Sequence, residues 1–118
     1  GPLTIVFGAS SLINPALAGG TDKIGIRLSS HPLARRLSEG ISGPITATSA
    51  NLSGAAECVS AAQVAMDLSG RITTVIDAGE TPGGKGSTVI DITASPPRIF
   101  RHGAVPVQAI EDILGGTA

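Results

Sequence analysis

The order of elements along the chain predicts an α/β or α+β domain. Short β-rich runs alternate with amphipathic segments of helical spacing. The connections between them are rich in turn-forming residues, with 16 Gly and 8 Pro in 118 residues. Hydrophobic residues make up 42%, enough to argue against disorder and to build one modest core. Aromatics make up only 2%, with no Trp and no Tyr, so that core must be Leu, Ile, Val and Ala.

Taken in order, Leu3 to Phe7 is a β-rich run. Lys23 to Leu28 alternates, with Ile24, Ile26 and Leu28 on one face and Gly25 and Arg27 on the other. A helix is predicted from near Ser30, with Pro32 in its opening turn and Leu33, Leu37 and Ile41 forming one apolar stripe. Ile45, Thr46 and Ala47 extend a strand that Asn51-Leu52-Ser53-Gly54 ends. A second helix starts at Ser60, with Gln63 at capping-box spacing, Val64 and Leu68 on its face and Gly70 as its stop. Ile72 to Ile76, Thr88 to Ile92 and Arg98 to Arg101 are further strands. A third helix follows Val105, with Pro106 in its first turn. Ala109, Ile110, Ile113 and Leu114 should face inward, and Gly115-Gly116 should end it. The length suggests one domain, and there is no internal repeat.

Charge and cysteine content narrow the function classes. The formal net charge of -1 implies no broad electropositive field for nonspecific nucleic-acid binding. The adjacent Arg35 and Arg36 read as a solvated helix edge. The shortage of aromatic rings weakens a single-strand stacking platform and leaves nucleotide recognition to backbone and small polar groups. One cysteine, Cys58, excludes an internal disulfide and a Cys-rich metal site. It reads as a small buried or half-buried hydrophobe. There is no signal-peptide pattern and no bilayer-length apolar run, so the expected location is cytoplasmic, with no membrane partner.

Several catalytic patterns fail on their own spacing. His31 and His102 belong to no H-x-x-x-H or H-E-x-x-H motif, so no metal set is indicated. There is no G-x-S-x-G elbow, and Asp77, Glu80 and Asp91 are scattered. Gly79 to Ser87 nearly spells a phosphate-binding P-loop, but Gly86 intervenes between Lys85 and Ser87. A strand follows it, where a P-loop must open a helix. Two readings stay open there: a flexible turn, or an anion-binding loop using backbone N–H groups, Lys85 and the Ser87 hydroxyl. The segment Thr46 to Gly54 is as evenly balanced. If its strand persists, Ser49 and Asn51 project from one face and offer a hydroxyl and an amide to phosphate or ribose. Small Ala47 and Ala50 would let a ligand approach the backbone. The plainer reading is a polar turn with Asn51 in an Asx turn.

Five blocks, in order, resemble the YrdC family. They are Gly1-Pro2-Leu3-Thr4-Ile5-Val6; Gly25-Ile26-Arg27 with His31-Pro32-Leu33-Ala34; Thr48 to Gly54, carrying the family's S-x-N pattern; Asp77 to Asp91, through Thr81-Pro82-Gly83-Gly84 and Ser87-Thr88-Val89; and Pro97 to Ala104. The resemblance covers essentially the whole chain. It implies an α/β fold with a twisted mixed sheet and flanking helices around a concave nucleotide-binding cavity. It also implies L-threonylcarbamoyladenylate synthase activity, in which L-threonine, bicarbonate and ATP give threonylcarbamoyl-AMP and pyrophosphate for the threonylcarbamoyladenosine modification of tRNA. Mg²⁺ is expected with the ATP. Partners would extend to tRNA or tRNA-modification proteins, and a second copy could pair through an exposed sheet edge.

By position in the family's motifs, Thr4, Ser49, Asn51 and Arg101 would contact ATP, and Ala47 and Ser87 would contact threonine. No catalytic group is assigned. The family's K-x-R motif lies upstream of its G-P-L-T strand, so residues 1–118 read as the C-terminal part of the domain, with the upstream segment missing. Two positions depart from the family's pattern. Glu57 stands where a small hydroxyl residue is usual, and Gly86 where an acidic residue commonly precedes the serine. Two alternatives accompany the synthase reading: a non-catalytic module binding RNA or a nucleotide, and the carbamoyl-adenylate domain of a hydrogenase-maturation carbamoyltransferase.

Overall fold

Four strands form one sheet in the computed structural model, which describes residues 1–115. They are β1 (Leu3–Gly8), β2 (Lys23–Ile26), β3 (Thr88–Asp91) and β4 (Arg98–Arg101), ordered β2-β1-β3-β4. β1 pairs antiparallel with β2 and parallel with β3, and β3 pairs antiparallel with β4. The sheet is therefore mixed. Three helices accompany it: α1 (Pro32–Gly40), α2 (Ala61–Asp67) and α3 (Val107–Leu114). A short 3-10 turn, Pro15–Ala18, lies in the Gly- and Pro-rich loop between β1 and β2. The chain divides into two compact units. One combines Gly1–Pro32 with the chain from Lys85 onward; the other is Leu33–Gly84.

The first unit carries the whole sheet, and register gives each face a distinct character. Thr4 pairs with Val89, Val6 with Asp91 and Gly25, and Gly8 with Lys23. Paired residues share a face, and alternate residues along a strand do too. Thr4, Ser87, Val89, Asp91, Lys23 and Gly25 thus lie on one, largely polar, face. Leu3, Ile5, Ile24, Ile26, Thr88 and Ile90 lie on the other. Ile90 and Ile110 of α3 are, with Ala18, the buried apolar residues among those described.

β4 contains an irregularity that decides where its side chains go. Val89 pairs with Arg101 and Ile90 with Ile99, so one extra residue, Phe100, sits between consecutive pairings. Without this bulge Ile99 and Arg101, two apart, would share a face. With it, Ile99 joins the apolar face and Arg101 the polar one.

Two predicted strands do not form. Residues 45–47 and 72–76 pair with no strand, and every residue of both segments is exposed. A β-branched run acquires strand structure from a ladder partner, and the described residues offer neither segment one. β2 also ends at Ile26, leaving Leu28 74% exposed.

The predicted helices do form, with smaller buried faces than expected. α1 buries none of its residues, and Leu37 of the predicted stripe is exposed. In α2 the Ser60 hydroxyl accepts from the Gln63 N–H at 3.3 Å, while the Gln63 side chain accepts from Val59 N–H at 2.8 Å. The capping spacing is therefore used, one residue displaced on its return bond. α3 starts after Pro106, which stands one position ahead of its expected place in the first turn and makes no side-chain capping bond, and Gly115 ends it in the left-handed conformation at φ 76. Gly116 lies outside the described residues. Of the four α3 residues expected to face inward, Ile110 is buried, whereas Ala109, Ile113 and Leu114 are exposed. Ile110 is thus the one fully turned-in residue of the predicted α3 face.

Candidate functional site

The polar face of the first unit gathers three of the expected site residues. The hydroxyls of Thr4 on β1 and Ser87, just ahead of β3, lie 2.8 Å apart. Arg101, turned to this face by the bulge, donates from Nη2 to Ser87 Oγ at 2.8 Å and from Nε to the Ser87 carbonyl at 2.9 Å. Ser87 is buried, and Arg101 is exposed. A planar, permanently charged fork is thereby fixed by two bonds while part of it still faces solvent. Gly86 lies against the same guanidinium, and a Cβ there would stand 3.5 Å from Nη2. Gly86 is one of the two departures from the expected pattern, and as glycine it places no side chain beside Arg101.

Further along the same face, Lys23 reaches Asp91 at 2.9 Å. Asp91 is 1% exposed and also accepts from Thr93 through its hydroxyl at 2.6 Å and its N–H at 2.8 Å. The Thr93 hydroxyl foremost, then Lys23 and the Thr93 amide, hold the Asp91 carboxyl down to about 2. Asp91 is a satisfied structural anion, not a proton donor or acceptor near neutrality. Sequence reasoning left this carboxylate among scattered acids, because its charged partner, Lys23, comes from a distant strand.

On the apolar face, Thr88 is fully buried, and its hydroxyl makes three hydrogen bonds. It donates to Val105 O at 2.7 Å and accepts from Gly103 N–H at 3.0 Å and Val105 N–H at 3.1 Å. Ala104 N–H adds a bond to Gly86 O at 2.9 Å. Gly103 is held so close that a Cβ would collide with Gly86 O, Ser87 C and Thr88 N. Neither Thr88 nor Gly103 was singled out from sequence, since a strand threonine and a loop glycine have no such meaning until β3 and β4 meet.

The second unit holds Ala47, Ser49 and Asn51. No strand aligns Ser49 with Asn51: the intervening Ala50 has φ 55, which breaks the alternation on which their shared face depended. Thr48 Oγ1 accepts from Ala50 N–H at 2.9 Å and braces that conformation. Asn51 donates from Nδ2 to Leu52 O at 3.0 Å and Ala55 O at 2.8 Å, closing a local turn. Its Oδ1 is buried with no hydrogen-bond partner, an acceptor left unused. Ala47 and Ser49 are exposed.

Near this turn, a shallow open hollow of about 300 Å³ is lined by Ala55, Ala56, Glu57, Cys58, Gln63 and Asp67. Cys58 donates to Asp67 at 3.4 Å. Burial, then the Asp67 carboxylate, push its thiol up, so no reactive thiolate is set up here. Among the described residues, no group of three His, Cys, Asp or Glu could hold a metal ion. No helix among them is long and apolar enough to cross a membrane.

Comparison with known proteins gives this geometry a context. The Sua5/YciO/YrdC family model, described as telomere recombination, matches residues 1–103. A threonylcarbamoyl-AMP synthase of Pyrococcus abyssi is 43% identical over 115 residues, covering 98% of this chain and 34% of the relative. One from Bacillus subtilis is 36% identical over 116 residues, again covering 98% of this chain and 34% of the relative. The crystal structure of P. abyssi Sua5 complexed with L-threonine superposes with a TM-score of 0.91 at 42% identity, covering 99% of this chain and 34% of that one. The chain thus spans about a third of the length of these relatives. On the extent of the family match and the identity of these relatives, the chain belongs to the Sua5/YciO/YrdC family.

Proposed function

We propose that this chain is part of a threonylcarbamoyl-AMP synthase, which joins L-threonine, bicarbonate and ATP into threonylcarbamoyl-AMP with release of pyrophosphate. The observation that carries the reading is the Thr4–Ser87–Arg101 cluster, in a chain 42% identical to a Sua5 crystallised with L-threonine. Thr4 and Arg101 serve ATP from this cluster, and Ser87 serves threonine. By position in the family's motifs, Ala47 serves threonine, and Ser49 and Asn51 serve ATP. The unused Asn51 Oδ1 supports its part, because a ligand N–H or O–H would satisfy it.

The chemistry asked of these residues is positioning and neutralisation of phosphate charge. The Arg101 fork suits phosphate oxygens, and its two bonds to Ser87 fix its direction before a ligand arrives. Mg²⁺ would enter as the partner of the ATP phosphates, since the described residues present no metal-holding cluster and this ion is commonly held through phosphates. Asp91, taken up by Lys23 and Thr93, does not serve it. The product would feed tRNA modification in the cytoplasm, and tRNA or its modification proteins would be partners.

The test is pyrophosphate release from ATP by the full-length protein, with L-threonine and bicarbonate each omitted in turn. Release should require both. Ser49→Ala, Asn51→Ala and Arg101→Ala should each lower kcat/KM by about tenfold or more. Release independent of threonine, or unchanged turnover in all three variants, would overturn the assignment.

A further inference from the structure

We infer that Thr88 is a positioning residue for the Ser87–Arg101 pair, its hydroxyl tying Gly103 and Val105 to β3 and so fixing where the Arg101 guanidinium lies. The inference rests on the proposed reading of Ser87 and Arg101 as ligand contacts. Thr88 lies on the sheet face opposite Thr4 and Ser87 and is 0% exposed, so it acts only through its neighbours.

The argument starts from the bulge. A bulged pair can shift its extra residue along the ladder, and a shift of one residue turns side chains to the other face. Val89 pairs with Arg101 and Ile90 with Ile99, so moving the extra residue from Phe100 would turn Arg101 away from Ser87. A clamp on the C-terminal side of Arg101 prevents this. Gly103 and Val105 donate their N–H groups to one hydroxyl, Val105 accepts that hydroxyl's proton, and Ala104 N–H bonds Gly86 O. The clamped segment begins two residues after Arg101, and its anchor is the residue next to Ser87. Both members of the pair are therefore referenced to one side chain. The close fit of Gly103 against Gly86, Ser87 and Thr88 leaves no slack in this reference.

A purely structural role for Thr88, as the anchor of α3, makes a different prediction. It costs stability and leaves the kinetics of the folded enzyme alone. The experiment therefore reads position, turnover and stability separately, on the full-length protein. Thr88→Val keeps the shape and removes the hydroxyl; Thr88→Ser restores it. The Arg101 Nε–H resonance, identified by its loss in Arg101→Lys, should be protected from exchange in the wild type through its bond to Ser87 O. In Thr88→Val this protection should fall, together with a loss of about ten- to hundredfold in kcat/KM for threonine-dependent pyrophosphate release. Thr88→Ser should recover most of both. Should Thr88→Val not fold, Thr88→Cys, similar in size and a weaker hydrogen-bonding group, is read in its place. A folded variant with lower Tm but unchanged Arg101 protection and kcat/KM overturns the inference. A wild type without threonine-dependent release overturns the functional reading instead, and the Arg101 protection still judges Thr88.

Discussion

Buried polar residues, more than apolar ones, set the character of the sheet. Thr88 and Asp91 are its most completely buried side chains, and each is saturated with partners. Asp91 makes this measurable. Its carboxyl is lowered from 3.8 to about 2 by Thr93 and Lys23, so the folded state binds its proton more weakly than the unfolded chain does. Stability from this group is fully present above about 4. It is lost as pH falls through the window down to about 2, where the folded carboxyl is protonated too. Urea unfolding between pH 5 and pH 2 (about the span over which carboxylates titrate) should show the midpoint dropping in that window for the wild type. Asp91→Asn should be less stable at pH 5 and show a smaller drop. An equal pH slope in both proteins would mean that other carboxylates carry the acid sensitivity.

Elements whose signals are local were legible in the sequence, and the pairing and register between strands were not. α2 is an instance of the first kind: Ser60 and Gln63 carry their capping chemistry within the five residues from Val59 to Gln63. Ser60→Ala should cost about 1 kcal/mol of local helix stability. Hydrogen exchange should show it as faster exchange at Gln63 and Val64, with the β3 amides unaffected; uniform acceleration would show that the two units unfold together. β1, β3 and β4 were legible for a similar reason, as β-rich runs bounded by turns. Residues 72–76 have the same composition yet remain unpaired, because composition reports fitness for a ladder and not the existence of a partner. Thr4, Ser49, Asn51, Ala47, Ser87 and Arg101 are proposed as ligand contacts from motif position. The bulge that aims Arg101, the Thr88 clamp and the Lys23–Asp91 pair were hidden, since each depends on which strands pair and in what register.

At the scale of the chain, the apolar surface exceeds what so small a core can take in. Only Ala18, Ile90 and Ile110 are buried apolar residues among those described, while Leu28 is 74% exposed, Phe100 63% and Ile26 55%. Ile26 and Phe100 lie on β2 and β4, the two edges of the sheet, where unsatisfied backbone groups already invite pairing. A net charge of -1 gives little repulsion to oppose it. The isolated chain should therefore self-associate, with its weight-average mass in sedimentation equilibrium rising with concentration. Ile26→Lys places a charge on the β2 edge at a half-open position, where it can reach solvent without disrupting packing. This variant should shift association to higher concentration while keeping the wild-type far-ultraviolet spectrum. The matching change on the other edge, Phe100→Lys, separates the two surfaces: an effect from Ile26→Lys alone would locate the contact at β2. A chain that stays monomeric throughout would show that neither edge pairs.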